Sequence, residues 1–222
     1  MTANASAQGG QFQDREEVLD AFNVSRETAE ALDTFVACLM KWQPAINLVS
    51  PATLKHVWKR HIADSTQLAS LLPPDARTIA DFGSGGGFPG LVLAAMLLSR
   101  SGSQVHLVES DQRKCAFLRE VIRRARLPAT VHNMRIEAAK LPVPDAITAR
   151  ALAPLSRLLS LTVPHGGPRT VYLFPKGQDV EVELTEAAKC WRLSVEAIPS
   201  RTDPDGVILK LKDVARVRPD AV

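Results

Sequence analysis

The chain has 222 residues, of which 45% are apolar, and it carries a net charge of +3 with a pI of about 8.9. This length favours one α/β domain with an N-terminal addition over two independent domains, and the mild basicity is compatible with an RNA partner without requiring one. The cysteines Cys38, Cys115 and Cys190 form no CxxC pair and the histidines form no HxH or HExxH pattern, which argues against a disulfide framework and a metal site.

The N-terminal stretch MTANASAQGGQ has neither the basic nor the apolar region of a signal peptide, and we expect residues 1–13 to be a disordered tail. The longest apolar run, residues 88–98, contains Pro89 and Gly90 and is shorter than the roughly 20 residues that cross a bilayer. These features predict a cytoplasmic protein without a membrane partner.

Residues 14–74 have the pattern of a helical extension. Ser25 is a candidate N-cap, and the apolar residues after it recur at helical spacing. Pro44 interrupts this pattern, and a further helix is expected from about residue 52 towards residue 72.

From residue 75 to residue 222, short apolar runs alternate with amphipathic ones. The predicted strands are RTIADFG, SQVHLVES, ATVHNM, DAITARA and TVYLFPKG, followed by a terminal pair, LSVEAIPS and GVILKLK. Helices are expected in GLVLAAMLLSR, DQRKCAFLREVIRRARL, APLSRLLSLTVP and DVEVELTEAAKC. Alternating βα units predict an α/β domain of Rossmann-like architecture, with a mostly parallel sheet and helices on both faces.

The stretch TIADFGSGGGFPGLVLAAMLL joins the first strand to the helix that follows it through a glycine-rich turn. Glycines let a ligand approach the backbone N–H groups, and the N-terminus of the helix adds a positive partial charge. A strand, a glycine loop and a helix in this order are typical of the nucleotide-binding corner of doubly wound folds.

The glycine spacing leaves two nucleotide classes open. Counted from Gly83, the dinucleotide pattern GxGxxG fails because Phe88 takes the third position. A shifted match at Gly85, Gly87 and Gly90 nevertheless keeps a dinucleotide-dependent oxidoreductase as an alternative.

The unshifted pattern, Asp81-x-Gly83-x-Gly85-x-Gly87, is the signature of class I S-adenosylmethionine-dependent methyltransferases. S-adenosylmethionine has an ammonium, a sulfonium and a carboxylate but no phosphate. An aspartate at the entrance of the loop suits the cationic groups and would repel a pyrophosphate. This charge argument favours the methyltransferase hypothesis.

An acidic residue ends the next predicted strand. Glu109 closes VHLVE about 22 residues after Gly87, close to the expected spacing of about 20. Its two oxygens suit the two hydroxyls of a ribose. Because NAD also contains a ribose diol, Glu109 predicts a nucleoside ligand without choosing between the two classes.

The segments around the loop carry a more specific signal. In chain order they are KWQPAINLVS, RHIADSTQL, DFGSGGGFPGLVLA, ESDQRKCAFLREV, RIEAAK, ITARALAPL and FPKG. Together they resemble the RsmG (GidB) family of bacterial 16S ribosomal RNA guanine-N7 methyltransferases, from Trp42 to Gly177. The chain departs from the family pattern at Glu109, where aspartate is usual, at the Arg113-Lys114 pair, and at Gln43.

The resemblance implies a cofactor, a substrate and further site residues. The cofactor would be S-adenosylmethionine, and the partner would be 16S ribosomal RNA or the small ribosomal subunit. Gly83 and Phe88 would line the cofactor, while Ile136 and Glu137 would hold its adenine. Arg150 would face the methionine end and the target.

The expected chemistry needs no catalytic base. Guanine N7 carries a free lone pair and attacks the methyl carbon without first losing a proton. The sequence after the fourth strand has no NPPY-like or DPPY-like motif, as exocyclic amine methylation would use, and no Pro-Cys nucleophile, as cytosine C5 methylation would need. We therefore assign no catalytic residue and expect positioning of the reactants to dominate.

Two groups of basic residues are candidates for RNA contacts. The first is a helical row of Arg119, Arg123 and Arg126, for which a solvated helix face is an equal alternative. The second, the 55–61 cluster, contains Lys55, Lys59, Arg60 and His61 around Trp58, an aromatic residue that suits base stacking. For His61, a structural hydrogen-bonding role is an equal alternative. Lys176 is open to a phosphate contact or a turn role. A noncatalytic RNA-binding module with a methyltransferase fold remains a third alternative.

Overall fold

The computed structural model describes residues 14–217, so the tail expected over residues 1–13 lies outside the described part. Residues 14–21 form helix α1, and Arg26–Trp42 form helix α2. Helix α2 begins where the sequence predicts it, because the side-chain oxygen of Ser25 accepts a hydrogen bond from the amide of Thr28 and caps the helix.

The second predicted helix of the extension is continuous but irregular. It runs through a 3-10 turn at Pro51–His56, a π-helical turn at Trp58–Ala63, the short helix α3 at Asp64–Thr66 and a second 3-10 turn at Gln67–Leu71. Turns of the π type are frequent at functional sites. His61 and Asp64, in and next to this turn, take part in the site described below.

The rest of the chain forms a seven-stranded sheet of order β3-β2-β1-β4-β5-β7-β6. The strands are β1 (Thr78–Phe82), β2 (Gln104–Glu109), β3 (Ala129–Asn133), β4 (Ala146–Thr148), β5 (Val171–Lys176), β6 (Trp191–Pro199) and β7 (Val207–Arg216). Strands β1 to β5 pair in parallel, whereas β7 pairs antiparallel with β5 and β6. The predicted mostly parallel α/β fold and terminal strand pair are therefore confirmed.

Helices cover both faces of the sheet. They are α4 (Gly90–Met96), α5 (Gln112–Ala125), α6 (Leu155–Thr162) and α7 (Val180–Ala188). Helices α4 and α5 pack on one face together with α2, while α6 and α7 cover the other. Successive residues of β1 serve the two cores, Ile79 on one face and Ala80 on the other, as the pleat requires. The extension thus shares a hydrophobic core with the sheet.

The strand order determines where a ligand site is expected. The chain order reverses direction between β1 and β4, and ligands of open parallel sheets bind outside the carboxyl ends of the strands at such a switch point. The glycine loop leaves β1 at this edge. Within residues 14–217, no helix has the length and apolar character needed to span a membrane.

Candidate active site

The glycine loop folds tightly over the end of β2. Gly83, Gly85 and Gly87 have φ values of 69°, 52° and 90°, a left-handed region that side chains disfavour. The amides of Gly83 and Ser84 both donate to the carbonyl of Val108, at 2.9 and 3.2 Å. The glycines are therefore needed for the backbone path as well as for open space.

Glu109 links this loop to the start of α5. Its Oε2 accepts a hydrogen bond from the amide of Gly85 at 2.9 Å, and its Oε1 accepts one from the amide of Asp111 at 2.8 Å. Each carboxylate oxygen has two lone pairs, so both atoms retain capacity for a further donor. Glu109 therefore has a structural role in the loop and keeps acceptor capacity on both carboxylate oxygens.

A cavity of about 370 Å³ opens beside the glycine loop and Glu109, within the range of small-molecule sites. The predicted site residues in its wall are Gly83, Gly85, Glu109, Ile136, Glu137 and Arg150. Ile136 is buried and apolar, while Glu137 is exposed at the mouth and pairs loosely with Arg157, at 3.7 Å. We refer to this space as the loop cavity.

Asp81 does not line the loop cavity. The sequence placed it at the entrance, but only 1% of the residue is exposed, and its side chain lies between β1 and the start of α4. Its Oδ1 accepts a hydrogen bond from the hydroxyl of Thr148 at 2.8 Å, whereas Oδ2 has no partner among the described residues. Burial raises the pKa of Asp81 to about 6, although the hydroxyls of Thr148 and Ser84 counteract this shift.

Gly87 and Phe88 also lie outside the wall of the loop cavity. A Cβ atom on Gly87 would fall 2.4 Å from Cδ1 of Leu91, so this glycine permits close packing of the loop on α4. The ring of Phe88 is buried against Phe35, with 4.9 Å between ring centroids. The structure therefore gives both residues packing contacts behind the loop.

Arg150 follows β4 and stands where three groups meet. Its Nη1 donates to Oδ2 of Asp64 at 3.2 Å, its Nη2 donates to Nδ1 of His61 at 3.1 Å, and its guanidinium lies 5.3 Å from the ring centroid of Phe88. The side chain is 21% exposed. Arg150 is thus held by the extension on one side while it reaches the loop cavity on the other.

His61 is a neutral structural residue in this arrangement. Its burial, together with the charges of Arg150 and Arg60, lowers its pKa to about 4. Since Nδ1 accepts from Arg150, Nε2 carries the proton and donates to the hydroxyl oxygen of Thr53, at 2.8 Å. Both ring nitrogens are therefore engaged, and of the two roles predicted for His61 the structure favours the structural one.

A second cavity of about 660 Å³ adjoins the first, and we call it the outer cavity. The segment 150–152 contributes to the walls of both cavities. Within that segment Ala151 has a φ of 53°, a conformation that non-glycine residues adopt at a cost of about 1 to 2 kcal/mol. The outer wall also contains Asp64 and Asp203. Two adjacent cavities separated by one strained segment suit two reactants that must meet.

Lys176 supports this segment rather than offering a free charge. Its Nζ donates to Oε2 of Glu183 at 2.6 Å and to the carbonyl of Ala153 at 3.0 Å, and its side chain is 9% exposed. The same Oε2 accepts from the amide of Leu155, at 2.6 Å. The structure therefore favours the structural alternative for Lys176.

Comparison with known proteins identifies the family. The model of the family described as rRNA small subunit methyltransferase G matches residues 28–204. The chain belongs to this family. A protein of that name from Parvibaculum lavamentivorans is 50% identical over 96% of this chain and 95% of its own length. A second, from Rhodospirillum centenum, is 53% identical over 88% of both chains.

The fold of this chain is also found in solved methyltransferase structures. A crystal structure of a SAM dependent methyltransferase from Aquifex aeolicus superposes with a TM-score of 0.53 at 15% identity, covering 72% of this chain and 93% of that one. At this identity the likeness concerns the fold alone. The family assignment does not favour the oxidoreductase or the noncatalytic alternative.

The 55–61 cluster is not the stacking surface that the sequence predicted. Trp58 is 3% exposed and lies under the guanidinium of Arg15, so the prediction that it stacks on bases is wrong. Lys59 pairs with Asp14 and Glu17, while Arg60 pairs with Asp203. In the helical row, Arg123 pairs with Glu120, whereas Arg119 and Arg126 are exposed. An RNA contact of this row therefore remains a prediction, and the pairing of Arg123 with Glu120 neutralises part of the row's charge.

Sequence reasoning missed Asp64 as a member of the site. The segment RHIADSTQL contains it, three residues after His61, and this spacing places both side chains on one face of a helical turn. That spacing was the available signal. What it could not indicate is that Arg150, 86 residues further along the chain from Asp64, completes the group.

Proposed function

We propose that this chain transfers a methyl group from S-adenosylmethionine to N7 of a guanine in 16S ribosomal RNA of the small subunit. Family membership supports the methyltransferase reaction and a ribosomal RNA substrate. The observation that carries the proposal is the loop cavity, walled by Gly83, Gly85 and Glu109, directly beside the larger outer cavity. A ribosomal RNA substrate implies that the protein works in the cytoplasm. Its two parts would be a helical extension over residues 14–74 and a cofactor-binding domain over residues 75–222.

The wall of the loop cavity fits the nucleoside part of the cofactor. Glu109 would accept hydrogen bonds from the two ribose hydroxyls with the lone pairs that Gly85 and Asp111 leave free. Ile136 offers an apolar surface for one face of the adenine, and Glu137 offers an acceptor for its amino edge.

The methionine end would lie against the turn from Gly83 to Gly85 and near Arg150. Arg150 would pair with the cofactor's carboxylate, as its position at the boundary of both cavities allows. Asp81 lies beneath the loop, so we propose that it acts through the field of its charge and not through direct contact. Gly87 and Phe88 would support the loop from behind.

The expected effect of Gly83→Val is at least a tenfold weaker binding of S-adenosylhomocysteine, since about 1.4 kcal/mol gives that factor. A Cβ atom at this position would lie 2.7 Å from Cδ1 of Leu152, in the segment shared by both cavities, and φ is 69°. Titration calorimetry measures the affinity. Gly177→Ala is the control, because its added Cβ has no neighbour within 4 Å and should leave the affinity unchanged. Equal affinities of the wild type, Gly83→Val and Gly177→Ala would show that the glycine loop does not bind the cofactor.

The chemistry then rests on positioning. When bound, the cofactor supplies an electrophilic methyl group on its sulfonium, and guanine N7 needs no deprotonation to accept it. Next to segment 150–152, both ring nitrogens of His61 are already bonded and Glu183 pairs with Lys176, so neither is poised to act as a base. The role of Arg150 and its neighbours is to hold two reactants in line, a contribution that reaches about 7 to 11 kcal/mol in favourable cases.

The proposal is tested by transfer of labelled methyl groups to small subunits and to naked 16S RNA. Borohydride reduction followed by aniline cleavage then reports N7-methylguanine at a single position. Label in the RNA without a new cleavage site would contradict the N7 assignment. The comparison of the two substrates shows whether the assembled subunit is required.

We expect the single-turnover rate, with both ligands saturating, to stay nearly constant from about pH 6.5 to about pH 8, because no base must lose a proton. His61, with a pKa of about 4, stays neutral throughout this range. Rapid-quench measurements of labelled product give the rate. A tenfold rise per pH unit that disappears on mutation of one histidine would instead indicate an exocyclic nitrogen or a hydroxyl as acceptor.

A further inference from the structure

One carboxylate joins three distant parts of the chain. Asp64 accepts a hydrogen bond from Arg150 through Oδ2, and through Oδ1 it accepts one from the hydroxyl of Thr202 at 3.0 Å and one from the amide of Gln67 at 3.1 Å. Asp64 belongs to the extension, Arg150 follows β4, and Thr202 lies between β6 and β7. The carboxylate of Asp64 therefore links the extension to the residue that follows β4 and to the turn between β6 and β7.

Gln67 reinforces the turn between β6 and β7. It is 3% exposed, its Oε1 accepts from the amide of Arg201 at 3.0 Å, and its Nε2 donates to Oγ of Ser200 at 3.2 Å. Residues 200–202 are therefore tied to the same helical turn that carries Asp64. Ser200 and Asp203 line the outer cavity, so this turn forms part of the wall that the target would meet.

The charge of Arg150 makes Asp64 the decisive partner. Arg150 and Asp64 have side-chain exposures of 21% and 19%, so most of this ion pair is covered by protein and only part of it borders the two cavities. His61 is neutral and accepts only one hydrogen bond, and Phe88 offers only its ring face. Without Asp64, Arg150 would lose its counter-ion and one of two hydrogen-bonded anchors, and it would be free to leave the boundary between the cavities.

We propose that Asp64 is a positioning residue for methyl transfer: it fixes the guanidinium of Arg150 between the two cavities and ties it to the turn at residues 200–202. We call the contacts of Asp64 with Arg150 and Thr202 the clamp. The expected effect of the clamp on the rate rests on the proposed function, but the contacts themselves do not depend on the reaction. In this role Asp64 acts on the rate through Arg150, although it also lies in the wall of the outer cavity.

A double-mutant cycle tests this dependence. Asp64→Ala should lower the single-turnover rate at least tenfold in the wild-type background and less than twofold in the Arg150→Ala background, because the residue through which it acts is already absent. Asp64→Glu should recover part of the loss. Equal losses in both backgrounds would overturn the proposal, since they would mean that Asp64 acts on the fold in general.

Asp14→Asn is the matched control. Asp14 is another largely buried acid of the extension; it pairs with Lys59 and His56 and not with Arg150. It should leave the rate within twofold in both backgrounds. Thermal melting of all variants shows whether each remains folded, and Asp64→Asn replaces Asp64→Ala if the latter does not fold. A slower rate for Asp14→Asn equal to that for Asp64→Ala would also count against the clamp.

NMR of the arginine side chains separates this proposal from the proposed function. The guanidinium signal of Arg150 should show restricted motion in the ligand-free wild-type protein and increased motion in Asp64→Asn. That result would support the clamp even if no RNA were methylated. An Arg150 signal with the same order in both proteins would overturn it, whatever the activity.

Discussion

Replacing Glu109 with alanine is expected to weaken S-adenosylhomocysteine binding about 150-fold, since the lost charge-assisted hydrogen bonds to two hydroxyls sum to about 3 kcal/mol. The variant also loses the acceptor that holds the amide of Gly85, so the glycine loop itself becomes less ordered. Both effects act in the same direction. Titration calorimetry with S-adenosylmethionine and S-adenosylhomocysteine measures them.

The two ligands carry the same ribose, so Glu109→Ala should weaken both by the same factor. Glu120→Ala is the control: this acid lies on α5, pairs with Arg123 and Arg124 on the surface, and should leave both affinities unchanged. A loss confined to one ligand would show that Glu109 does not hold the sugar. Glu109→Gln keeps the shape and one acceptor, and it should lie between the wild type and the alanine variant.

Asp81 should make the protein less stable as the pH rises from about 4 to about 7, by about 2 kcal/mol relative to Asp81→Asn. Its folded pKa, about 6, lies above the ordinary value of 3.8, so in this window the folded state binds more protons than the unfolded state. Stability from this carboxyl is therefore fully present below about pH 3.8 and is lost as the pH passes through about 6. The physical cause is burial of the carboxyl, which outweighs the hydrogen bonds and the nearby charge of Arg150 that lower its pKa.

Urea unfolding of the wild type and of Asp81→Asn across this pH range measures the difference. The difference is the informative quantity, because it cancels most contributions of other groups. His61 is one of these: its lowered pKa adds stability as the pH rises, opposite in sign to Asp81. A difference that does not change with pH would mean that the pKa of Asp81 in the folded protein is not raised above its value in the unfolded chain.

The sequence alone determined the fold and the position of the glycine loop. Alternating apolar runs predicted each strand of the parallel sheet, since a buried strand needs a short apolar run and the covering helix needs one apolar face. The loop was recognisable because its glycines lie between such a strand and such a helix. Glu109 followed from the same geometry, since neighbouring parallel strands end at one edge of the sheet.

Only the tertiary structure decided which polar residues face the cavities. Asp81 belongs to the motif but is buried under the loop, because side chains alternate between the faces of a strand and neighbouring elements decide how deeply each is covered. Trp58 looked like an RNA-stacking residue but serves the core.

The grouping of Asp64, His61 and Arg150 was equally out of reach of the sequence. His61 and Asp64 are only three residues apart, whereas Asp64 and its ion-pair partner Arg150 are 86 residues apart. The ion pair between Asp64 and Arg150 forms only when the extension packs on the sheet. Periodicity reports how each segment meets its immediate surroundings. Which distant charge meets which is decided by how the packed segments are arranged in space, and that arrangement placed Arg150 between the two cavities.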